Sequence, residues 1–164
     1  MDSLLSLTSS LPTRTLEAGE ILMSQGEAGG DLFFLKSGKL TVERDGVTIA
    51  ELANPGALIG EMSVLLGTKH SATVRASGAA SVRVIRDAKS VLEKDPALTF
   101  AIARLMAGRL DVTSALLVNM TKEHSGKAER SVLSRIFSAL HLQEGDSTYS
   151  AISRNDMFAP TDRR

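Results

Sequence analysis

The residues best suited to chemistry stand together between positions 58 and 74. Gly60 follows the apolar pair Leu58-Ile59, and Glu61 opens a short helical segment directly behind it. The first N–H groups of a helix have no partner within it, and the helix dipole adds to their positive charge, so this point suits a phosphate. Glu61 can accept hydrogen bonds from sugar hydroxyls, whereas burying it unpaired in so apolar a stretch would be costly. The segment therefore predicts half of a nucleotide site.

The same segment resembles the phosphate-binding cassette of the cyclic nucleotide-binding domain, a family found in kinase regulatory subunits, gated channels and bacterial regulators. The family pattern is Phe-Gly-Glu-Leu-Ala-Leu, a short turn, then Arg-Ala/Ser-Ala-Thr-Val. Residues 59–64 and 71–74 fit this pattern. The resemblance implies cAMP or cGMP as the ligand and no metal. The site residues that it implies in this segment are Gly60, Glu61, Met62, His70 and Ser71.

His70 stands where the family has the arginine that grips the cyclic phosphate. Arginine is a permanently charged fork of donors, whereas histidine is charged only below its pKa, near 6.5 when unperturbed. A bound phosphate would raise that pKa, so we expect affinity to strengthen as the pH falls toward 6, with Lys69 as a second cation nearby. Two alternatives stay open: a surface histidine in a pocket that binds no nucleotide, and a sensor of another small effector.

Ser71 follows His70 and has two interpretations. Its hydroxyl can bond the cyclic phosphate or a guanine base, as the resemblance implies, or it is simply a turn residue.

The segment from Arg109 to Ser114 supplies candidates for the second half of the site. It reads Arg-Leu-Asp-Val-Thr-Ser and resembles the Arg-Leu-x-Val-Thr-Ser segment of catabolite-activator-type bacterial regulators. In cAMP-binding members the threonine and serine touch the adenine, one from each subunit of a dimer. The resemblance thus implies Thr113 and Ser114 as base contacts and favours cAMP over cGMP. The alternative is that both hydroxyls bond to carbonyls of their own helix.

Short apolar runs punctuated by glycines occupy the chain from Thr13 to Ile85. Many short strands at regular spacing predict an antiparallel sandwich or jelly roll, and the spacing of the turn glycines resembles the family's β-roll. We therefore predict a mostly β fold: an antiparallel double-stranded β-helix (jelly roll or β-roll) with short flanking helices and a long C-terminal dimerisation helix. The predicted strands lie at 21–23, 32–35, 40–42, 47–49, 73–74 and 82–85.

After Ile85 the apolar period becomes helical. We predict a short helix over 87–94 with Asp87 as its N-cap, then a long helix opened by Asp95-Pro96 and running to about Met120. Two apolar stripes with 4-3-4-3 spacing favour one face packed on the roll and one on a second copy, in a homodimer; a single wide core-facing stripe is the alternative. The first stripe, which is interrupted at Arg109, is Leu98, Ile102, Leu105, Val112 and Leu116; the second is Met106, Leu110, Thr113, Leu117 and Met120.

The predicted organisation has three parts: a cyclic nucleotide-binding roll over 1–94, the dimerisation helix over 95–121, and a helix with the remnant of a helix-turn-helix over 122–164. Residues 149–159 resemble the opening of the winged helix-turn-helix of catabolite-activator-type regulators. The chain ends before any recognition helix, so we expect a truncated module and no sequence-specific DNA binding.

Composition narrows the function classes. Nineteen basic and nineteen acidic residues cancel, so no overall field attracts nucleic acid or anionic membrane. The absence of cysteine excludes disulfides and thiolate chemistry, and the three histidines lie too far apart in sequence for a cupin-type metal centre. We expect no catalytic residues, no membrane span, no signal peptide and a cytoplasmic location. The alternative to a nucleotide sensor is a nucleotide-free dimerisation or protein-interaction module with a degenerate pocket.

Overall fold

The computed structural model describes residues 4–123, which form eight strands and four helices. The strands are β1 (Thr13–Leu16), β2 (Ile21–Met23), β3 (Leu32–Ser37), β4 (Leu40–Arg44), β5 (Val47–Leu52), β6 (Leu58–Ile59), β7 (Thr73–Ala76) and β8 (Ala80–Ile85). The helices are α1 (Leu4–Leu7), α2 (Glu61–Leu66), α3 (Ala88–Lys94) and α4 (Pro96–Glu123).

The strands form two four-stranded antiparallel sheets, in the orders β1-β8-β3-β6 and β2-β7-β4-β5. Strands that neighbour in sequence repeatedly fall in different sheets, as in a jelly roll. The predicted β-roll and the long C-terminal helix are both confirmed. Helix α2 lies between β6 of the first sheet and β7 of the second, so the segment singled out from the sequence bridges the two sheets.

The interior of the roll is filled by alternate side chains of both sheets. Phe33 and Leu35 of β3 belong to this core, whereas Leu32 and Phe34 point to the opposite face and are also fully buried. A strand that is covered on both faces has a continuous apolar sequence, which is why Leu-Phe-Phe-Leu could be predicted as a strand from the sequence. The core residues are Leu16, Leu22, Phe33, Leu35, Leu40, Ile59, Val74, Ala76, Ala80, Val82 and Val84.

The hairpin between β4 and β5 turns at Asp45-Gly46. Both residues have positive φ, 52° and 78°, and Arg44 pairs with Val47 across the turn. Two consecutive positive φ values define the turn whose twist matches that of the flanking strands, and Asp-Gly is among its preferred sequences. This dipeptide therefore sets the register of the outer hairpin.

Gly38 is the turn glycine with the least room. Its φ is +89°, and a Cβ there would lie 2.5 Å from both the carbonyl oxygen of Ala79 and the Cα of Ala80. Because these are backbone atoms, we expect Gly38→Ala to lower the free energy of unfolding by about 2 kcal/mol or more. Urea denaturation measures the loss. Gly78→Ala is the control, because its Cβ would meet nothing within 4 Å; equal losses in both variants would contradict this account.

Two helix starts differ in how they are capped. Asp87 occupies the predicted N-cap position of α3, but its φ is +44° and its side chain makes no capping hydrogen bond. Its backbone N–H instead donates to the carboxylate of Asp31. At the next helix the Asp95 carboxylate accepts from the N–H of Leu98 at 3.0 Å, so Asp95 caps α4 and Pro96 occupies its first turn.

The chain divides into two compact units, residues 1–104 and 105–164, which separate within α4. In the first unit Leu98 and Ile102 are buried, whereas Val112 and Leu116 of the same predicted stripe, in the second unit, are exposed. The predicted helix-turn-helix remnant lies outside the described residues. Between residues 4 and 123, no helix has both the length and the apolar character to cross a membrane.

Candidate functional site

Gly60 places the start of α2 close to the loop before β3. It has φ +90° and ψ −2°, and a Cβ on it would stand 2.8 Å from the carbonyl oxygen of Asp31. Only glycine fits both the left-handed backbone and this approach. The Asp31 side chain is held in turn by the Arg86 guanidinium and the N–H of Asp87. The β2–β3 loop, α2 and the end of β8 are thereby connected.

The helix itself presents the predicted carboxylate in a sheltered position. Glu61 is 9% exposed, whereas its neighbour Met62 is half exposed. Glu61 also lies in the first turn of α2, whose N–H groups lack intrahelical acceptors and favour negative charge. The sheltered carboxylate can accept from a sugar hydroxyl while the adjacent amides donate to a phosphate, as the sequence predicts.

The main chain of His70 is fixed against the β2–β3 loop. Its N–H donates to the carbonyl of Glu27, and its own carbonyl accepts from the N–H of Gly26, both at 2.9 Å. These two hydrogen bonds place the histidine at the end of the turn that follows α2. The position that the family pattern assigns to arginine is therefore well defined in space.

The imidazole of His70 lies inside the cassette. The residue is 8% exposed, and its Nδ1 is 2.9 Å from the hydroxyl of Ser63. A Cβ at Gly29 would overlap the ring and stand 2.6 Å from that hydroxyl. The ring therefore packs closely on the Gly29 backbone, which corrects the alternative of a surface histidine.

Burial lowers the pKa of His70 below its ordinary value, because the charged imidazolium loses solvation. The negative charges of Glu27 and Asp31 act in the opposite direction but are smaller effects. At neutral pH the ring of the ligand-free protein is thus mainly neutral, and it offers a phosphate no positive charge.

The remaining cassette residue, Ser71, is adjacent to α2. Its hydroxyl lies 3.9 Å from the sulfur of Met62, a weak contact that leaves it able to bond a ligand. The structure therefore brings Gly60, Glu61, Met62, His70 and Ser71 into a single cassette.

Thr113 and Ser114 lie on α4 in the second compact unit. Their hydroxyls donate to the carbonyls of Arg109 and Leu110, each at 2.8 Å. Such bonds to the preceding turn are the alternative that the sequence left open. They use the hydroxyl hydrogen but leave oxygen lone pairs, so both side chains keep the ability to accept a hydrogen bond. Their role as base contacts stays a prediction.

Sequence reasoning missed three residues that shape the cassette: Ser63 within it, and Gly29 and Asp31 in the β2–β3 loop. Ser63 stands where the family pattern has alanine. This exchange, together with histidine in place of arginine at His70, was the sequence signal that could have pointed to Ser63. No group of three or more His, Asp or Glu side chains suited to a metal ion occurs in the part of the chain that the structure describes.

The two sheets of the antiparallel roll are bridged by a short helix that begins after a glycine. A carboxylate, backbone amides and an imidazole lie together at this helix. These features define a small-ligand-binding β-roll. The comparisons with known proteins make this class specific. Residues 13–93 match the model of the cyclic nucleotide-binding domain.

Three known proteins illustrate the relationship. A cyclic nucleotide-gated potassium channel of Mesorhizobium japonicum is 34% identical over 85 residues, which are 52% of this chain and 23% of the channel. The catabolite activator protein of Thermus thermophilus superposes with a TM-score of 0.60 at 27% identity, over 72% of this chain and 59% of that one. A cyclic nucleotide-binding domain of Methylobacillus flagellatus superposes with a TM-score of 0.59 at 25% identity, over 70% of both chains.

The chain belongs, through residues 13–93, to the cyclic nucleotide-binding domain family. It spans about a quarter of the length of the curated channel that it matches.

Proposed function

We propose that this protein is a regulatory domain that senses a cyclic nucleotide, with cAMP preferred over cGMP, and that it performs no catalysis. The observation that carries the proposal is the cassette itself: Gly60 in the one conformation that lets α2 begin against Asp31, followed at once by the sheltered Glu61. This arrangement lies within the segment that matches the family model.

The cyclic phosphate is assigned to the amides from Gly60 to Met62 and to His70, with Ser71 as a further donor. The amides carry partial positive charge but no full charge. At the position of the family arginine, a full charge comes from the imidazolium of His70, because neutral imidazole adds none. The ribose hydroxyl is assigned to Glu61, whose carboxylate accepts hydrogen bonds only.

The preference for adenine follows from Thr113 and Ser114. Each hydroxyl donates its hydrogen to a helix carbonyl, so each can only accept from a ligand. The exocyclic N6 group of adenine donates hydrogen bonds, whereas O6 of guanine accepts them. If these residues contact the base, the acceptors match adenine and oppose guanine.

A homodimer joined through α4 is part of the proposal. Large apolar residues of this helix are exposed in the single chain, among them Leu110 (46%), Val112 (60%) and Leu116 (58%). A second copy of the helix would cover them. A ligand that contacts the cassette and the base residues would bind one arrangement of the dimer more tightly and shift the population toward it.

The biological setting that best fits is a cytoplasmic regulator of the catabolite-activator type. This follows from the Arg109–Ser114 and 149–159 resemblances and from the likeness to the Thermus protein. The Mesorhizobium match offers a channel as another setting for the same roll.

Isothermal titration calorimetry with cAMP and cGMP at pH 6 and pH 8 tests the proposal. Binding of the phosphate stabilises the imidazolium, so binding takes up a proton and low pH favours it. Because burial lowers the pKa of His70 in the free protein, the gain extends to lower pH than it would for an unperturbed histidine. We expect the cAMP dissociation constant to fall roughly ten- to a hundredfold from pH 8 to pH 6.

The cyclic phosphodiester keeps one negative charge over this range, so the ligand itself contributes no titration. A flat profile between pH 6 and pH 8 would exclude His70 as the phosphate ligand. Absence of binding at both values would favour the nucleotide-free interaction module, for which the inward, neutral imidazole is the supporting observation.

A further inference from the structure

A buried chain of hydrogen bonds connects the start of α2 to His70. The Ser63 hydroxyl, on a residue 3% exposed, lies 2.9 Å from the carbonyl oxygen of Gly60 and 2.9 Å from Nδ1 of His70. A carbonyl oxygen can only accept, so the single hydroxyl hydrogen is donated to Gly60. The serine oxygen must then accept from the histidine, and Nδ1 must carry a hydrogen.

The orientation of the ring is fixed by its surroundings. Gly29 packs against Cε1 and Nδ1 of the imidazole, and the main chain of His70 is held on both sides by Gly26 and Glu27. Rotating the ring by half a turn would put a carbon atom where Nδ1 meets Ser63 and would break the hydrogen bond. The hydrogen-bond chain and the close packing therefore select one orientation and one tautomer.

The other ring nitrogen, Nε2, has no hydrogen-bond partner among residues 4–123. No side-chain nitrogen or oxygen there is both buried and unpartnered, so Nε2 reaches solvent. In the neutral ring, with the hydrogen on Nδ1, Nε2 is a lone pair that repels a phosphate oxygen. Only the imidazolium carries a hydrogen on Nε2 that can be donated to an anion.

The charged groups around the ring are of both signs. Glu27 and Asp31 face it from the β2–β3 loop, and Asp31 is paired with Arg86. Helix α2 contributes one charged residue, Glu61, and Lys69 precedes the histidine in the chain.

We infer that Ser63 is a positioning residue that holds His70 in the Nδ1–H tautomer with Nε2 facing outward, so that the site takes up a cyclic phosphate only together with a proton on Nε2. The inference rests on the proposed function for its ligand but not for its tautomer. It makes this site a joint sensor of cyclic nucleotide and pH, through a serine and histidine at two positions where the family pattern has alanine and arginine.

The tautomer is tested without any ligand by nitrogen–proton correlation spectra of ¹⁵N-histidine-labelled protein at pH 8. Signals of His70 are distinguished from those of His124 and His141 with the His70→Gln variant. We expect a hydrogen on Nδ1 and a bare Nε2 in the wild type, and loss of this preference in Ser63→Ala. The Nε2–H tautomer in the wild type would overturn the inference.

The proton is tested by calorimetry with cAMP near pH 7 in two buffers of different ionisation enthalpy. We expect uptake of about one proton per ligand, with affinity changing about tenfold per pH unit between the free and bound pKa values. In Ser63→Ala the neutral ring can carry its hydrogen on Nε2 and donate, so the change per pH unit should fall well below tenfold. Ser90→Ala, which removes a serine hydroxyl from the short helix α3, is the matched control and should behave as wild type.

The outcomes separate this inference from the proposed function. Tight cAMP binding without proton uptake, or with an unchanged pH profile in Ser63→Ala, would overturn the inference and leave the function standing. No binding by either the wild type or His70→Arg would overturn the function and the proton coupling, while the tautomer spectrum would still decide the role of Ser63.

Discussion

Replacing His70 with arginine is expected to tighten cAMP binding roughly 10²–10³-fold at pH 8 and to remove its pH dependence. The free protein holds a buried, mainly neutral imidazole there, so the bound phosphate lacks a charged partner. A missing partner of a sheltered charge pair costs about 3–5 kcal/mol, which corresponds to two to three decades in affinity. Arginine supplies a permanent charge and two parallel donors. Calorimetry at pH 6 and pH 8 measures the change.

The arginine is too long for the space between Gly29 and Ser63, so it has to extend away from them. The Ser63 hydroxyl keeps its bond to the Gly60 carbonyl and is not left unsatisfied. His70→Gln, which supplies an uncharged donor in place of a charge, is the control and should gain far less than the arginine variant at pH 8. An arginine variant no tighter than wild type would contradict the assignment of this position to the phosphate.

Loss of the Glu61 carboxylate is expected to have the second largest effect. Hydrogen bonds to a charged group contribute about 1.5–3 kcal/mol, so Glu61→Ala should weaken cAMP binding by roughly 10- to 150-fold. The measurement is best made in the His70→Arg background, where tight binding gives a wide range. Glu61→Gln keeps an acceptor oxygen of the same shape and should lose less.

Glu93→Ala is the matched control for Glu61→Ala, because Glu93 is an exposed glutamate on α3. Equal affinities for the two alanine variants would remove Glu61 from the site. Competition with 2′-deoxy-cAMP adds a second check: the penalty for the missing hydroxyl should be present with Glu61 and absent in Glu61→Ala.

Much of the roll was predictable because its signals are local. The apolar run of β3, the Asp45-Gly46 turn and the alternation along β8 each determine their own element. Strand β1 escaped prediction because Thr-Arg-Thr-Leu has a single buried residue, Leu16, and owes its pairing to β8. Asp87 takes the predicted N-cap position, but the Asp31 carboxylate that accepts from its backbone N–H lies far away in sequence and could not be predicted locally.

The sequence predicted which residues belong to the candidate site, but it did not predict how their side chains are arranged. Gly60 and Glu61 are informative because a glycine before a short helix and a carboxylate in an apolar stretch each have few explanations. The inward orientation of His70 depends on Gly29 and on the hydrogen bonds of Gly26 and Glu27. Those contacts form only when the β2–β3 loop packs against the turn after α2. Because these segments are far apart in sequence, no local sequence pattern predicts the contact.

The most direct test of the central claim is a titration of ¹⁵N-labelled protein with cAMP at pH 6, followed through the backbone amide signals. We expect saturable shifts concentrated at the amides of the cassette, from Gly60 to Met62 and at His70 and Ser71, with smaller shifts on the outer hairpin β4–β5. The claim would be contradicted if neither cAMP nor cGMP shifted these amides in the wild type or in His70→Arg.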